Sequence, residues 1–188
     1  MKTQNIILII DDSQFLSMVI PFEYERLHVC DEIKIFFETS DNIQYLLFDD
    51  SISFALEPFK VLLTEAIDNA CKLHDSIKEN IGFLWNQELS GRVSLPLKSG
   101  TNFWVGEHNL LWEKRGLSTW LYNRDNDIVL EIAPVYKWHY IEPKKSDTDY
   151  ITYDEWIKNY KPLKIIKIDK RVAEEWLKKT EELLAIMD

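Results

Sequence analysis

The stretch EIKIFFETSDNIQYLLFDDSISFAL, Glu32 to Leu56, decides the fold. Its first third alternates: Ile33, Ile35 and Phe37 are apolar while Glu32, Lys34 and Glu38 stand between them. That is the period of two expected of a strand with one buried and one wet face. Thr39-Ser40-Asp41-Asn42 is a turn cluster, because short polar side chains bond nearby backbone and tolerate tight bends. Ile43 to Phe48 and Ile52 to Leu56 then read as two further strands, interrupted at Asp49-Asp50-Ser51. Connections this short join only antiparallel neighbours, since a parallel crossover needs a dozen residues or more. The expectation is a three-stranded meander.

Before that stretch, Asn5 to Ile10 is β-branched and bounded by acidic residues, which suits a short buried strand, whereas the segment containing Pro21 shows no clear period. After it, Glu57-Pro58 predicts a helix start, because proline at the first helical position forfeits no hydrogen bond. Apolar residues from Phe59 through Leu63, Ile67 and Leu73 to Ile81 recur at three and four positions, so one helix of about 24 residues and ~35 Å is expected. Gly82 is its natural stop.

Leu110 to Lys114, Leu117 to Asn123 and Ile128 to Trp138 read as a second meander, with Phe103 to Val105 ahead of it and Arg124-Asp125-Asn126-Asp127 as a hairpin loop. The inward face of its last pair is Trp120 and Tyr122 with Ile128, Leu130 and Ile132. Thr152 and Glu155 fit a capping box opening a short helix. Leu163 to Ile168 is an edge strand guarded by Lys164 and Lys167, and Asp169 caps a final helix whose stripe includes Ala173, Trp176 and Leu183. Strands grouped apart from helices predict an α+β fold: antiparallel meander sheets, one long helix after the first three strands, and a C-terminal helix packed on sheet. The chain has 188 residues, 46% of them hydrophobic, which suffices for a single domain with one core.

Lys and Arg number 22 against 32 Asp and Glu, a net charge of −10. This excludes a nucleic-acid partner or an anionic membrane engaged through a basic face. The apolar run Ile6 to Ile10 is too short for a signal peptide or a membrane span, so the expectation is a cytoplasmic protein with no membrane partner. Cys30 and Cys71 are expected to be reduced and buried. The acidity is front-loaded: residues 1–60 hold 11 Asp and Glu against four Lys and Arg. Read blandly, that is solubility; read functionally, it is a negative field that steers a basic protein partner. Asp11, Asp12, Asp49 and Asp50 are the acidic binding candidates. In Tyr136-Lys137-Trp138-His139-Tyr140 every side chain is bulky and the segment runs into a polar loop, so Trp138, His139 and Tyr140 join them as a candidate contact surface.

The ten residues IILIIDDSQF resemble the opening of response-regulator receiver domains, in which a hydrophobic strand ends in paired acids that help to hold magnesium. That resemblance would make Asp11 and Asp12 the acidic pair and Asp49 or Asp50 the phospho-acceptor. It stops there, because receivers alternate strands with helices and residues 32–56 leave no room for a crossover.

His28 and Cys30 are two apart, and Cys71 and His74 three apart, so these four residues are the candidate zinc set. A closed structural site ordinarily uses tight Cys-x-x-Cys pairs, which this chain lacks, so no metal is assigned to them. Five scattered glycines leave no phosphate-cradling loop, and no nucleophile elbow or His-Glu-x-x-His occurs. No cofactor is implied. An enzyme would need a site assembled from dispersed groups, with Glu107, His108, His139 and Glu142 the best choice. Absence of catalytic motifs favours a non-catalytic acidic protein that binds a basic protein, for example an immunity or inhibitor protein neutralising a bacterial toxin.

Overall fold

The structure, a computed structural model, describes residues 3–21, 27–75, 77–91, 106–139 and 141–187. Strands β1 (Thr3–Ile9), β2 (Gln14–Pro21), β3 (Glu32–Thr39) and β4 (Gln44–Ser51) form one antiparallel sheet in sequence order. Strands β5 (Leu110–Lys114), β6 (Leu117–Arg124), β7 (Asp127–Pro134) and β8 (Lys164–Ile168) form a second sheet, also in sequence order. Four helices accompany them: α1 (Ile52–Ile67), α2 (Ile81–Leu89), α3 (Tyr153–Lys158) and α4 (Lys170–Leu184). Each meander is thus followed by a helix, α1 or α4, and these two pack on one another. The α+β class expected from the grouping of strands is the one found.

Several local expectations are corrected. The first meander has four strands, because the unpatterned segment Gln14–Pro21 pairs with β1 and β3 along its length. Ile52 to Leu56 is the first turn and a half of α1, and burial of Ile52, Ala55, Leu56 and Phe59 follows helical spacing. Pro58 consequently lies inside the helix. The helix ends at Ile67, well short of Ile81, where Asn69 takes a left-handed φ of 56°. The chain turns there so that Cys71 can exchange bonds with Asn123 of β6: the Asn123 N–H donates to the Cys71 carbonyl at 2.7 Å, and the Cys71 N–H to the Asn123 side chain at 3.1 Å. Gly82 falls in the first turn of α2 instead of ending a helix. β7 ends at Pro134, and Lys137–His139 is a single 3₁₀ turn. Cys30 is exposed, as are His28 and Val29 before it, and only Cys71 is buried. The strand expected at Phe103 to Val105 lies outside the described residues. The capping box of Thr152 and Glu155, the strand β8 and the Asp169 cap of α4 are as expected.

One buried cluster takes side chains from both sheets, from Leu16, Ile33 and Phe37 through Phe59 and Leu63 to Leu121 and Leu130. At its centre the Phe59 ring lies 5.0 Å from that of Trp112 and 6.0 Å from that of Trp176. Neither indole leaves its N–H orphaned: Trp112 donates to the Ala55 carbonyl at 3.1 Å and Trp176 to the Ile9 carbonyl at 3.0 Å. The central strands of the second sheet, β6 and β7, are buried on both faces. Leu121, Ile128, Leu130 and Ile132 face this cluster, while Trp120, Tyr122, Val129 and Ala133 face a smaller one under α2. The first sheet sends only one face inward; Ile7 and Ile9 on the other are 44% and 64% exposed.

Candidate functional site

The aspartates at the turns and strand ends of the first sheet fall into two groups at its opposite ends. Asp11 and Asp12 occupy the β1–β2 turn, where the Ile10 N–H donates to the Gln14 carbonyl at 3.0 Å. Asp41 occupies the β3–β4 turn, closed by Thr39 and Ile43 around Asn42 at φ 62°. The Ser40 N–H donates to the Ser13 carbonyl at 2.8 Å and ties the two turns together. Asp12 and Asp41 each adjoin one of these bonded serines, so the three aspartates share one end of the sheet. Asp11 is fixed as a carboxylate: the Ser13 N–H and hydroxyl donate to one oxygen at 2.7 and 2.8 Å, the Gln14 amide to the other at 3.1 Å. Those bonds, led by the Ser13 N–H, hold its pKa below the ordinary carboxylate value. Asp12 and Asp41 are exposed, and no described lysine or arginine pairs with any of the three.

Asp49 and Asp50 stand at the other end of β4, about 20 Å from Asp41 at the rise of a strand. Asp49 is half-buried and already neutralised, 3.0 Å from Lys114 of β5 and 3.9 Å from Lys34 of β3. Asp50 accepts from the Ser51 N–H at 2.7 Å, next to the start of α1. The four aspartates singled out in the sequence are therefore not one patch, and the receiver-like arrangement, in which they would meet, is absent: β1 continues into an antiparallel hairpin, not a crossover helix.

Trp138 and His139 lie at the far end of the second sheet and are half-buried. The Trp138 ring packs edge-on against Tyr150 at 5.6 Å with the Lys137 ammonium 4.3 Å from its centroid, and His139 lies against Tyr136 and Tyr153. Burial holds the His139 imidazole below its ordinary pKa. These rings anchor the segment Tyr150–Trp156 to the sheet, as does the Tyr136 hydroxyl, which donates to the Ile151 carbonyl at 2.7 Å. Tyr140 lies outside the described residues.

No protein-family model, no curated protein and no solved structure matches the chain.

The groups suggested for acid–base chemistry do not share a cleft. His108 precedes β5 and lies 2.6 Å from Glu65 of α1, whereas His139 follows β7 and so sits at the opposite end of the β5–β6–β7 ladder. Cys71 is near the His108 end. Its thiol donates to the Leu121 carbonyl at 3.3 Å and accepts from Asn109 at 3.3 Å, and burial pushes its pKa up to about 11. Such a thiol is a packing group, not a nucleophile. Cys30 and His28 are exposed in the segment before β3, and among the described residues no three His, Cys, Asp or Glu side chains are gathered as a metal site would need.

What sequence reading missed is the apolar partner of the acidic turns. On the open face of the first sheet Ile7 and Ile9 lie beside Ser17 and Phe15, and Phe36 lies beside Ser17 on the other flank. The available signal was that β1, TQNIILI, carries isoleucine at both parities and cannot bury all of them.

Proposed function

We propose that the protein is a non-catalytic, cytoplasmic binding protein whose N-terminal meander docks a basic protein partner, an immunity or inhibitor protein that neutralises a bacterial toxin being the concrete version. The observation that carries this reading is the group Asp11, Asp12 and Asp41, held at one end of the sheet by the Ser40–Ser13 bond and unpaired by any described cation. A protein that only needed solubility could scatter its acids. Here they border an apolar face with Ile7 and Ile9 exposed, which matches the apolar centre and charged rim of a binding surface. Carboxylates at such a rim speed encounter with a basic partner and disfavour acidic ones, and their effect fades as salt screens them.

The test is a pull-down with tagged protein at low and high salt, using wild type and the triple variant Asp11→Asn, Asp12→Asn, Asp41→Asn. The expected result is a basic protein held by wild type at low salt, released at high salt and not held by the variant. A partner indifferent to both salt and the variant, or no partner under either condition, sinks the proposal. The immunity version further requires that the recovered protein be toxic when expressed alone and harmless when co-expressed.

A further inference from the structure

We infer that β1 is a strand-addition site: an extended, basic segment of the partner pairs antiparallel with the outer edge of β1, which no described strand occupies, alongside α4, with its positive end at Asp11 and Asp12. This rests on the docking reading above and names the form the partner takes.

A sheet edge is a row of unmade hydrogen bonds, and proteins ordinarily guard it with lysine, proline, a bulge or a covering element. The other edges here are guarded. β8 follows Pro162 and carries Lys164 and Lys167 in its five residues. β4 has a register shift against β3 and is bridged to β5 by Asp49 and Lys114. β1 has no such lysine, proline or bulge: its seven residues, TQNIILI, contain no charge and no proline, its register against β2 is unbroken from Thr3 to Ile9, and among the described residues α4 bonds its outward groups only at Ile9, through Trp176.

The ladder shows which groups are free. Ile10 bonds Gln14 across the hairpin, so the hydrogen-bonded pairs on β1 continue at Leu8, Ile6 and Gln4, and Thr3, Asn5, Ile7 and Ile9 turn their N–H and C=O outward. The Ile9 carbonyl confirms this parity, because it accepts from Trp176 of α4. Among the described residues nothing bonds the outward groups of Asn5 and Ile7. Beside them a cleft of about 270 Å³ separates β1 from α4, lined by Ile7, Leu8 and Ile9 on one side and by Glu175, Trp176 and Lys179 among others on the other. An added strand would make main-chain bonds to Asn5 and Ile7 and set alternate apolar side chains against Ile7 and toward Trp176. The helix wall mixes both signs, and Lys179 is held by Glu182 at 2.9 Å. Charge selection therefore falls to Asp11 and Asp12, just beyond Ile9. In an antiparallel strand the residues that reach them precede the apolar run.

The probe is a synthetic peptide, two arginines followed by six residues alternating valine and threonine, added to the full chain while amide hydrogen exchange is read residue by residue. Exchange at Asn5 and Ile7 should slow about tenfold, with Leu8, already bonded to β2, unchanged. A peptide N-methylated on the residues that face β1 should lose this protection, and one with glutamine for arginine should bind more weakly. Ile7→Pro removes only an outward N–H, which an edge strand tolerates, and should abolish binding while far-UV circular dichroism stays unchanged; should that variant fail to fold, the N-methylated peptide decides. No protection at Asn5 and Ile7, or equal binding by the N-methylated peptide, overturns strand addition. If the salt-sensitive partner of the pull-down is held equally by wild type and folded Ile7→Pro, strand addition falls and the docking reading stands.

Discussion

The backbone N–H of Gly82 donates to the carboxylate of Glu131 at 3.0 Å, so a residue of β7 fills at the start of α2 the place that the N-cap Asn80, whose side chain makes no capping bond, leaves open. Tyr122 donates to the other Glu131 oxygen at 2.9 Å. One turn further along α2 the buried Asn86 donates to the Pro134 carbonyl at 2.9 Å and accepts from the Tyr136 N–H at 2.8 Å. The helix is therefore joined to the sheet by polar bonds as well as by Ile81 and Leu84.

Close approach at this junction requires glycine. A Cβ on Gly82 would meet the Cβ of Ala133 at 2.2 Å and the Tyr160 hydroxyl at 2.7 Å. Gly82→Ala should then push α2 off β7 and cost about 1–3 kcal/mol, the range for overpacking a filled core. Urea unfolding measures the cost, and near-UV circular dichroism should show altered packing of Trp85 and Trp120, which touch edge-on. A variant as stable as wild type would show that α2 is not seated as described.

Glu131 should also leave a mark on the pH dependence of stability. It is fully buried, and burial raises its pKa above the ordinary carboxylate value, the Gly82 and Tyr122 bonds opposing but not cancelling the effect. A group whose pKa is raised on folding stabilises fully below its unfolded pKa and loses that contribution as pH climbs through the folded value. Glu131→Gln keeps the shape and has no charge to bury. Between mildly acid and mildly alkaline pH, wild type should lose stability relative to this variant; parallel curves would refute the assignment.

The parts of the fold that were readable are those where periodicity and burial coincide. Ile33, Ile35 and Phe37 alternate because β3 has one wet face, and α4 keeps its stripe because one side of it is in water. Ile52 to Leu56 looked like a strand because five mostly apolar residues fit either period, and only the burial of Phe59 with them shows the helix. The apolar spacing from Ala70 through Leu73 to Ile81 continued past the end of α1 by coincidence, since Ile77 and Ile81, the latter opening α2, pack on the opposite face of the second sheet. Of the candidate site, the acids were legible as composition. Their division into a bonded turn cluster and a neutralised pair was not, because Ser40–Ser13 and Asp49–Lys114 are contacts between distant parts of the chain.

The two thiols should differ sharply. Cys30 is exposed, whereas Cys71 is buried with its pKa pushed up to about 11, and only a thiolate attacks a disulfide reagent. At neutral to mildly alkaline pH one thiol should react at once and the second only as the chain unfolds. Cys30→Ser should abolish the fast phase and leave the slow one. Two fast thiols would place Cys71 in solvent.

Phe59 tests whether the two meanders stand or fall together. Its ring contacts Trp112 of the second sheet and Trp176 of α4, and the Trp176 indole in turn holds the Ile9 carbonyl of the first sheet. Phe59→Ala would open a cavity at the point where all three meet and should cost about 3–5 kcal/mol. If the shared core makes one cooperative unit, tryptophan fluorescence, which reports mainly the second sheet and α4, and far-UV circular dichroism, which reports both sheets, should give the same denaturation midpoint in wild type and the same lowered midpoint in the variant. Two separated transitions, with only one moved by the substitution, would instead mean that each meander and its helix folds alone and that the contact between α1 and α4 is an interface between two units.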